Sequence, residues 1–215
     1  MDKDSKKILI LVGVVIGFFL LAFFAKFVYN LYSDNAVTID ELHKKNLEGK
    51  TSDTNYLYNG FSFVYVDNLW YTQVKRDDGT LLDVPLHFGP KELENILVTG
   101  KINDSFKQAS IYVTFDPTGH ELKFVALSSA ELSLSLAKGM GILPIAACDK
   151  NETAACINRP IVTCKDSDKS VIYLKQSNST GIVRFKGNCV ELEGDGWELV
   201  KATDRFLLKW YRVMK

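Results

Sequence analysis

The chain has 215 residues, 47% of them hydrophobic, with 26 basic and 26 acidic side chains and a formal net charge of zero. That balance argues against a nucleic-acid-binding footprint and against a polybasic lipid-binding surface. The length suits one domain of ordinary size, or two small ones, plus a short additional element.

That additional element comes first. Residues 8–25, ILILVGVVIGFFLLAFFA, run without a charge, preceded by Lys6 and Lys7 and closed by Lys26. At roughly 1.5 Å per helical residue the run crosses most of a hydrocarbon core about 30 Å thick, and a single apolar segment satisfies its backbone in lipid only as a helix. A cleaved secretory signal has a shorter core and a small-x-small site. Here Phe23, Phe24, Lys26 and Phe27 surround Ala25, which predicts a retained anchor in the bilayer. Lys3, Lys6 and Lys7 outnumber Lys26, so the N-terminus is expected in the cytoplasm and the main domain outside, with Tyr29 and Tyr32 in an outer aromatic belt. Gly13 and Gly17 form a GxxxG spacing that lets two helices approach, a route to a homodimer, although glycine is frequent in membrane helices in any case.

Residues 1–32 thus read as cytoplasmic tip and anchor. Residues 33–57 read as a stalk, in which Thr38 and Glu41 form a capping box before a short helix over 39–47 and GKTSDTN is a loop. Residues 58–215 read as an extracytoplasmic domain, with a division into subdomains near 116 left open.

Within that domain GFSFVYV and LWYTQV flank Asp67-Asn68, a hairpin signal, and LLDVPLHF follows the Asp78-Gly79 turn. Pro90 opens a short helix expected to end at Gly100. ASIYVTF is a strand, Asp116-Pro117-Thr118-Gly119 a turn, and LKFVAL a strand or a lead-in to a helix. Ser128 and Glu131 read as a capping box for the helix that follows, and ILPIAAC as a strand. Short strands are expected at PIVTC, VIYLK, GIVRF and CVELEG. Asp195 and Glu198 are expected to cap a final helix striped by Trp197, Val200, Leu207, Trp210 and Met214. The fold class is α+β, with helices packed on a mixed, mostly antiparallel sheet, behind one membrane helix.

Cys148, Cys156, Cys164 and Cys189 all lie in the last third. On the oxidising side of a membrane they favour two disulfides, and pairing of neighbours, 148 with 156 and 164 with 189, is preferred among the three connectivities. Their spacing lacks the CxxC of a zinc knuckle or thioredoxin-like site, and no metal or other cofactor is expected. Sequons at Asn103, Asn151 and Asn178 are candidate glycosylation sites.

The stretch AACDKNETAACINRPIVTC, with the later GNC and LVKATDRFLLKWY, resembles single-span archaeal surface proteins with a cysteine-bearing C-terminal half. The resemblance implies a cell-surface setting and transfers no catalytic residue.

No GxSxG elbow, P-loop or dinucleotide-binding fingerprint is present. Weak catalytic candidates are His120 with Asp116 and Glu121 around one turn. His87 lacks neighbours at a metal or catalytic spacing and reads as a surface or partly buried histidine, and Glu191 with Glu193 as a solvated pair on one strand face. The aromatic hairpin at Phe61, Phe63, Tyr65, Trp70 and Tyr71 is a core face or a platform for a glycan or protein partner. The leading expectation is a membrane-tethered binding or assembly protein with a membrane or cell-surface partner. The alternatives are an extracytoplasmic enzyme centred on His120, or a pilin-like filament subunit.

Overall fold

The computed structural model describes residues 3–33, 37–76 and 78–215. Residues 34–36 of the expected stalk lie outside the described residues, as do the side chains of Lys3, Lys6, Lys7 and Tyr32, on which the basic flank and part of the aromatic belt rest. The chain forms two units, residues 1–41 and 42–215.

The first unit is dominated by helix α1, Lys3–Ser33. Its segment Val12–Tyr29 has a mean hydropathy of 2.2 and none of it is buried, so the helix is long and apolar enough to cross a membrane. Apolar side chains surround it on every side; Phe18, Leu21 and Phe23 are each about 70% exposed. A helix with no polar face finds a matching solvent in hydrocarbon. A Cβ added at Gly13 or Gly17 meets nothing within 4 Å, so the glycine face is uncovered.

Helix α2, Ile39–Leu47, spans the division between the units. Thr38 Oγ1 accepts the Glu41 amide at 3.2 Å, which supplies the side-chain half of the cap. In the second unit His43 and Asn46 are buried. Asn46 donates to Phe63 O and Ser62 Oγ, both at 2.9 Å, and His43 Nδ1 bonds Ser62 Oγ at 2.7 Å, so this turn of helix is stitched to the first sheet.

That sheet is an antiparallel meander of β1 Asn55–Tyr58, β2 Phe61–Val66, β3 Leu69–Lys75 and β4 Leu81–Leu86. Asn59-Gly60 and Asp67-Asn68 form its first two turns, and all four residues have positive φ. Two-residue loops of that kind match the right-handed twist of the strands they join.

The second sheet holds β5 Leu97–Thr99, β6 Ser110–Phe115, β7 Leu143–Ala146, β8 Val171–Gln176, β9 Ile182–Lys186 and β10 Cys189–Gly194, in the order β5-β9-β10-β8-β6-β7. Only β9 and β10 are antiparallel neighbours; the other four pairings are parallel. Helix α3, Leu122–Leu134, is the crossover that makes β6 and β7 parallel. Helix α4, Trp197–Trp210, packs on β10, β9 and α3. One core joins both sheets to both helices, with Phe63, Leu86, Phe106, Leu132, Leu192 and Phe206 among its fully buried members. The architecture is α+β, one antiparallel sheet beside one mixed sheet.

Several expected boundaries move. The helix opened by Pro90 lasts one 3-10 turn, Pro90–Glu92, because residues 97–99 find backbone partners on β9 instead. Ser128 and Glu131 do not cap a helix; α3 starts at Leu122, where LKFVAL already carries the helical stripe, and both residues lie buried in its middle. PIVTC is reduced to a bridge between Cys148 and Ile161. Gly196, not Asp195, precedes α4, and no side chain caps that helix. Met214 lies beyond the end of α4, where the Val213 and Met214 amides both bond Leu208 O.

Cys148 is bonded to Cys156 and Cys164 to Cys189. The second bond ties the start of β10 to the loop before β8, beside a small apolar cluster of Ala147, Val162 and Val171.

Candidate functional site

The turn around His120 does not assemble a site. Asp116 Oδ1 accepts the Thr118 amide and hydroxyl at 2.8 Å each and faces Lys150 at 3.1 Å. Burial pushes the Asp116 carboxyl up, but those hydrogen bonds and the Lys150 ammonium outweigh it and hold it below the usual range. Glu121 pairs with Lys123 at 3.3 Å, and His120 Nε2 meets Asp195 at 2.9 Å with both partners about half exposed. Each group therefore has its own partner and the three do not converge. Glu191 and Glu193 share a strand face, yet neither is a solvated pair member. Glu191 takes the Lys186 ammonium at 2.9 Å, while Glu193 takes Arg184 and Lys175. Burial raises the Glu193 carboxyl, and the Ser177 hydroxyl and the two cations more than reverse this.

A cleft of about 590 Å³ opens elsewhere, between the first sheet, the segment after β4 and the start of α4. Its walls are the rings of Tyr65, Trp70, Phe88 and Trp197. Tyr65 and Trp70 stand directly opposite on β2 and β3, with centroids 5.1 Å apart, a cross-strand aromatic pair. Trp197, the first residue of α4, packs edge-on against Phe124 at 5.1 Å and Phe88 at 5.8 Å. Polar groups line the space between the rings. Glu92 Oε2 accepts the Trp70 indole N–H at 2.9 Å and the Gly89 amide at 2.8 Å, fixing both ring and carboxylate. Lys201 is held by Glu198 at 2.7 Å and lies 5.3 Å over the Phe88 ring. Gly89 is required where the chain passes under these rings, because a Cβ there would sit 2.7 Å from Tyr56 Oη and 2.9 Å from Trp70 Cε2.

His87 also lines the cleft, its ring 5.8 Å from Trp197, and behind it lies a buried pair of carboxyls. His87 Nδ1 is hydrogen-bonded to Glu131 Oε1. Glu131 from α3 and Asp204 from α4 are both buried, and Asp204 Oδ2 accepts the Phe88 amide at 2.8 Å. Among the described residues Glu131 Oε2 and Asp204 Oδ1 are buried without a donor, and the two carboxyls interact, so one proton shared between them would satisfy both. Burial raises the Glu131 carboxyl to about 7, and burial together with the charge of Glu131 raises Asp204 well above the ordinary range. The resulting chain is Asp204, Glu131, His87, then the cleft. With Nδ1 engaged, Nε2 is the ring atom left for a ligand. Among the described residues no group of three or more His, Cys, Asp or Glu is placed to hold a metal ion.

Sequence reasoning missed this cluster because its members are far apart in the chain. The available signal was a carboxylate on each apolar stripe. Asp204 lies four residues after Val200 and three before Leu207, and Glu131 seven after Phe124. A comparison of the chain with family models, curated proteins and solved structures returns no match.

Proposed function

We propose that this chain is a membrane-tethered extracytoplasmic binding protein whose ligand or partner occupies the aromatic cleft. The cleft is the observation that carries this reading. Four rings and a few fixed polar groups around several hundred Å³ are the usual make-up of a ligand site. An apolar helix long enough to span a bilayer supports the tether, and two disulfides support an oxidising compartment for the domain. Lys3, Lys6 and Lys7 favour a cytoplasmic N-terminus, and a cell-surface setting is also what the archaeal resemblance implies. Asn103, Asn151 and Asn178 are all exposed, as glycan acceptors must be. Pairing of two chains through Gly13 and Gly17 would bring two clefts to one assembly.

A second reading, an extracytoplasmic enzyme, moves from His120 to His87, whose Nδ1 is oriented by a carboxylate as in a general base. Among the described residues no serine or cysteine lines the cleft, so that reading needs the Thr54 hydroxyl, water or a ligand hydroxyl as nucleophile. Binding needs none of them.

The test is photocrosslinking in native membranes from p-benzoylphenylalanine installed at Tyr65. A discrete adduct that disappears when Trp197→Ala is added is the expected result. No adduct, or one indifferent to Trp197→Ala, refutes occupation of the cleft.

A further inference from the structure

Resting on the reading of the cleft as a binding site, we propose that its ligand is a neutral saccharide, stacked on Tyr65 and Trp197 and hydrogen-bonded by His87 and Glu92. The charges lining the cleft are what select this class. An anion needs a free cation, but Lys201 is committed to Glu198 at 2.7 Å and His87 to Glu131. A quaternary ammonium needs several free ring faces around it, yet the Phe88 face is already occupied by the Lys201 ammonium at 5.3 Å, and Tyr65 and Trp70 are turned toward one another at 5.1 Å. A purely apolar ligand would strip water from Glu92 and Lys201 without replacing it. What remains is a neutral molecule with apolar faces and many hydroxyls.

The geometry suits a sugar in the same terms. Trp197 and Tyr65 line the cleft and are 49% and 38% exposed, which leaves aromatic surface there for the C–H side of a pyranose. The Trp70 indole is locked by its bond to Glu92, so that wall is rigid before a ligand arrives. Glu92 uses Oε2 for Trp70 and Gly89, which leaves Oε1 to accept a sugar hydroxyl. His87, held at Nδ1, presents Nε2. Thr54 and Asn68 at the margin add a hydroxyl and an amide. A volume of about 590 Å³ accommodates two or three sugar rings rather than one.

The experiment uses full-length protein in phosphatidylcholine nanodiscs, free of glycoside detergents, with calorimetry and tryptophan emission as readouts. The three tryptophans include two in the cleft, so binding there is visible. The titrants are neutral gluco-, manno-, galacto- and N-acetylglucosamine oligomers, with uronic-acid oligomers, tetramethylammonium and short acidic peptides as comparisons. At least one neutral oligomer is expected to bind with Kd below about 1 mM. Trp197→Ala should weaken it at least tenfold, and Trp197→Phe should restore part of the affinity while far-ultraviolet dichroism and the denaturation midpoint stay native. Failure of every neutral oligomer, or preference for a charged titrant, overturns the saccharide class. If the Tyr65 adduct still forms in that case, the cleft remains a binding site for another class; if it does not, both readings fall together.

Discussion

Glu131→Gln is expected to be more stable than the wild type at pH 8 by about 3 kcal/mol, and nearly equal to it at pH 5. The folded protein holds Glu131 with a value raised from 4.5 to about 7, chiefly by burial. Between those values the folded state keeps a proton that the unfolded chain has released. The stability contributed by that proton is therefore complete below about pH 4.5 and is lost as pH rises through about 7. The difference, some two and a half pH units at about 1.4 kcal/mol each, sets the size of the effect. Asp204 is raised in the same sense, and because the pair holds one proton the decline belongs to the two carboxyls together. Glutamine keeps the Oε1 acceptor for His87 and offers Nε2–H to the oxygen of Asp204 that lacks a donor, so it reproduces the protonated pair without titrating. Chemical denaturation of the full-length protein across pH 5 to 8 checks this. A wild-type profile that is flat or rises with pH, or a variant that parallels it, would show that the two carboxyls do not share a proton. Glu131→Ala, by contrast, strands the His87 and Asp204 groups and should destabilise at every pH.

The second large effect is expected at Cys164–Cys189. That bond closes a loop of separation 25, whereas Cys148–Cys156 closes one of 8. Chain entropy assigns about 3.5 kcal/mol to the longer loop and about 2.5 kcal/mol to the shorter. Alanine replaces each pair in the test, because Cys148, Cys156 and Cys189 are buried and a serine hydroxyl would add a desolvation cost. Cys189 also opens β10, every residue of which is buried. The variant Cys164→Ala/Cys189→Ala should lose more stability than Cys148→Ala/Cys156→Ala, with a steeper denaturant slope as the released unfolded chain expands. The reverse order would mean that the longer loop is already constrained in the unfolded chain.

Local signals in the sequence were legible where the structure is local. Asp67-Asn68 announces a two-residue turn because few other residues accept left-handed backbone, and β2 and β3 flank it as read. The apolar helix and the helix at 39–47 are equally local. The errors share a cause in tertiary pairing. Residues 97–99, Leu-Val-Thr, are β-prone but too few to read as a strand by themselves, and they become β5 by pairing with the edge of β9. Ser128 and Glu131 have the spacing of a cap, but a helix already under way from Leu122 absorbs them. The same carboxylate that imitates a capping signal is the one that supports His87. His120 drew attention through neighbours close in the chain, Asp116 and Glu121, whereas His87 gains its partners from 44 residues away on α3 and, through Glu131, from α4. Alternation puts Phe61, Phe63 and Tyr65 on one face of β2, yet that face is not uniformly core. Phe63 enters the core, while Tyr65, at the end of the strand, stays 38% exposed at the cleft.

The central claim, that a membrane anchor presents this cleft to the outside, is tested most directly by cysteine labelling in intact cells. Thr54 is exposed and lines the cleft, and Lys3 precedes the apolar run. A membrane-impermeant maleimide should modify Thr54→Cys in intact cells and Lys3→Cys only after permeabilisation. Labelling of Lys3→Cys in intact cells, with Thr54→Cys protected until the membrane is opened, would place the cleft in the cytoplasm and contradict the account.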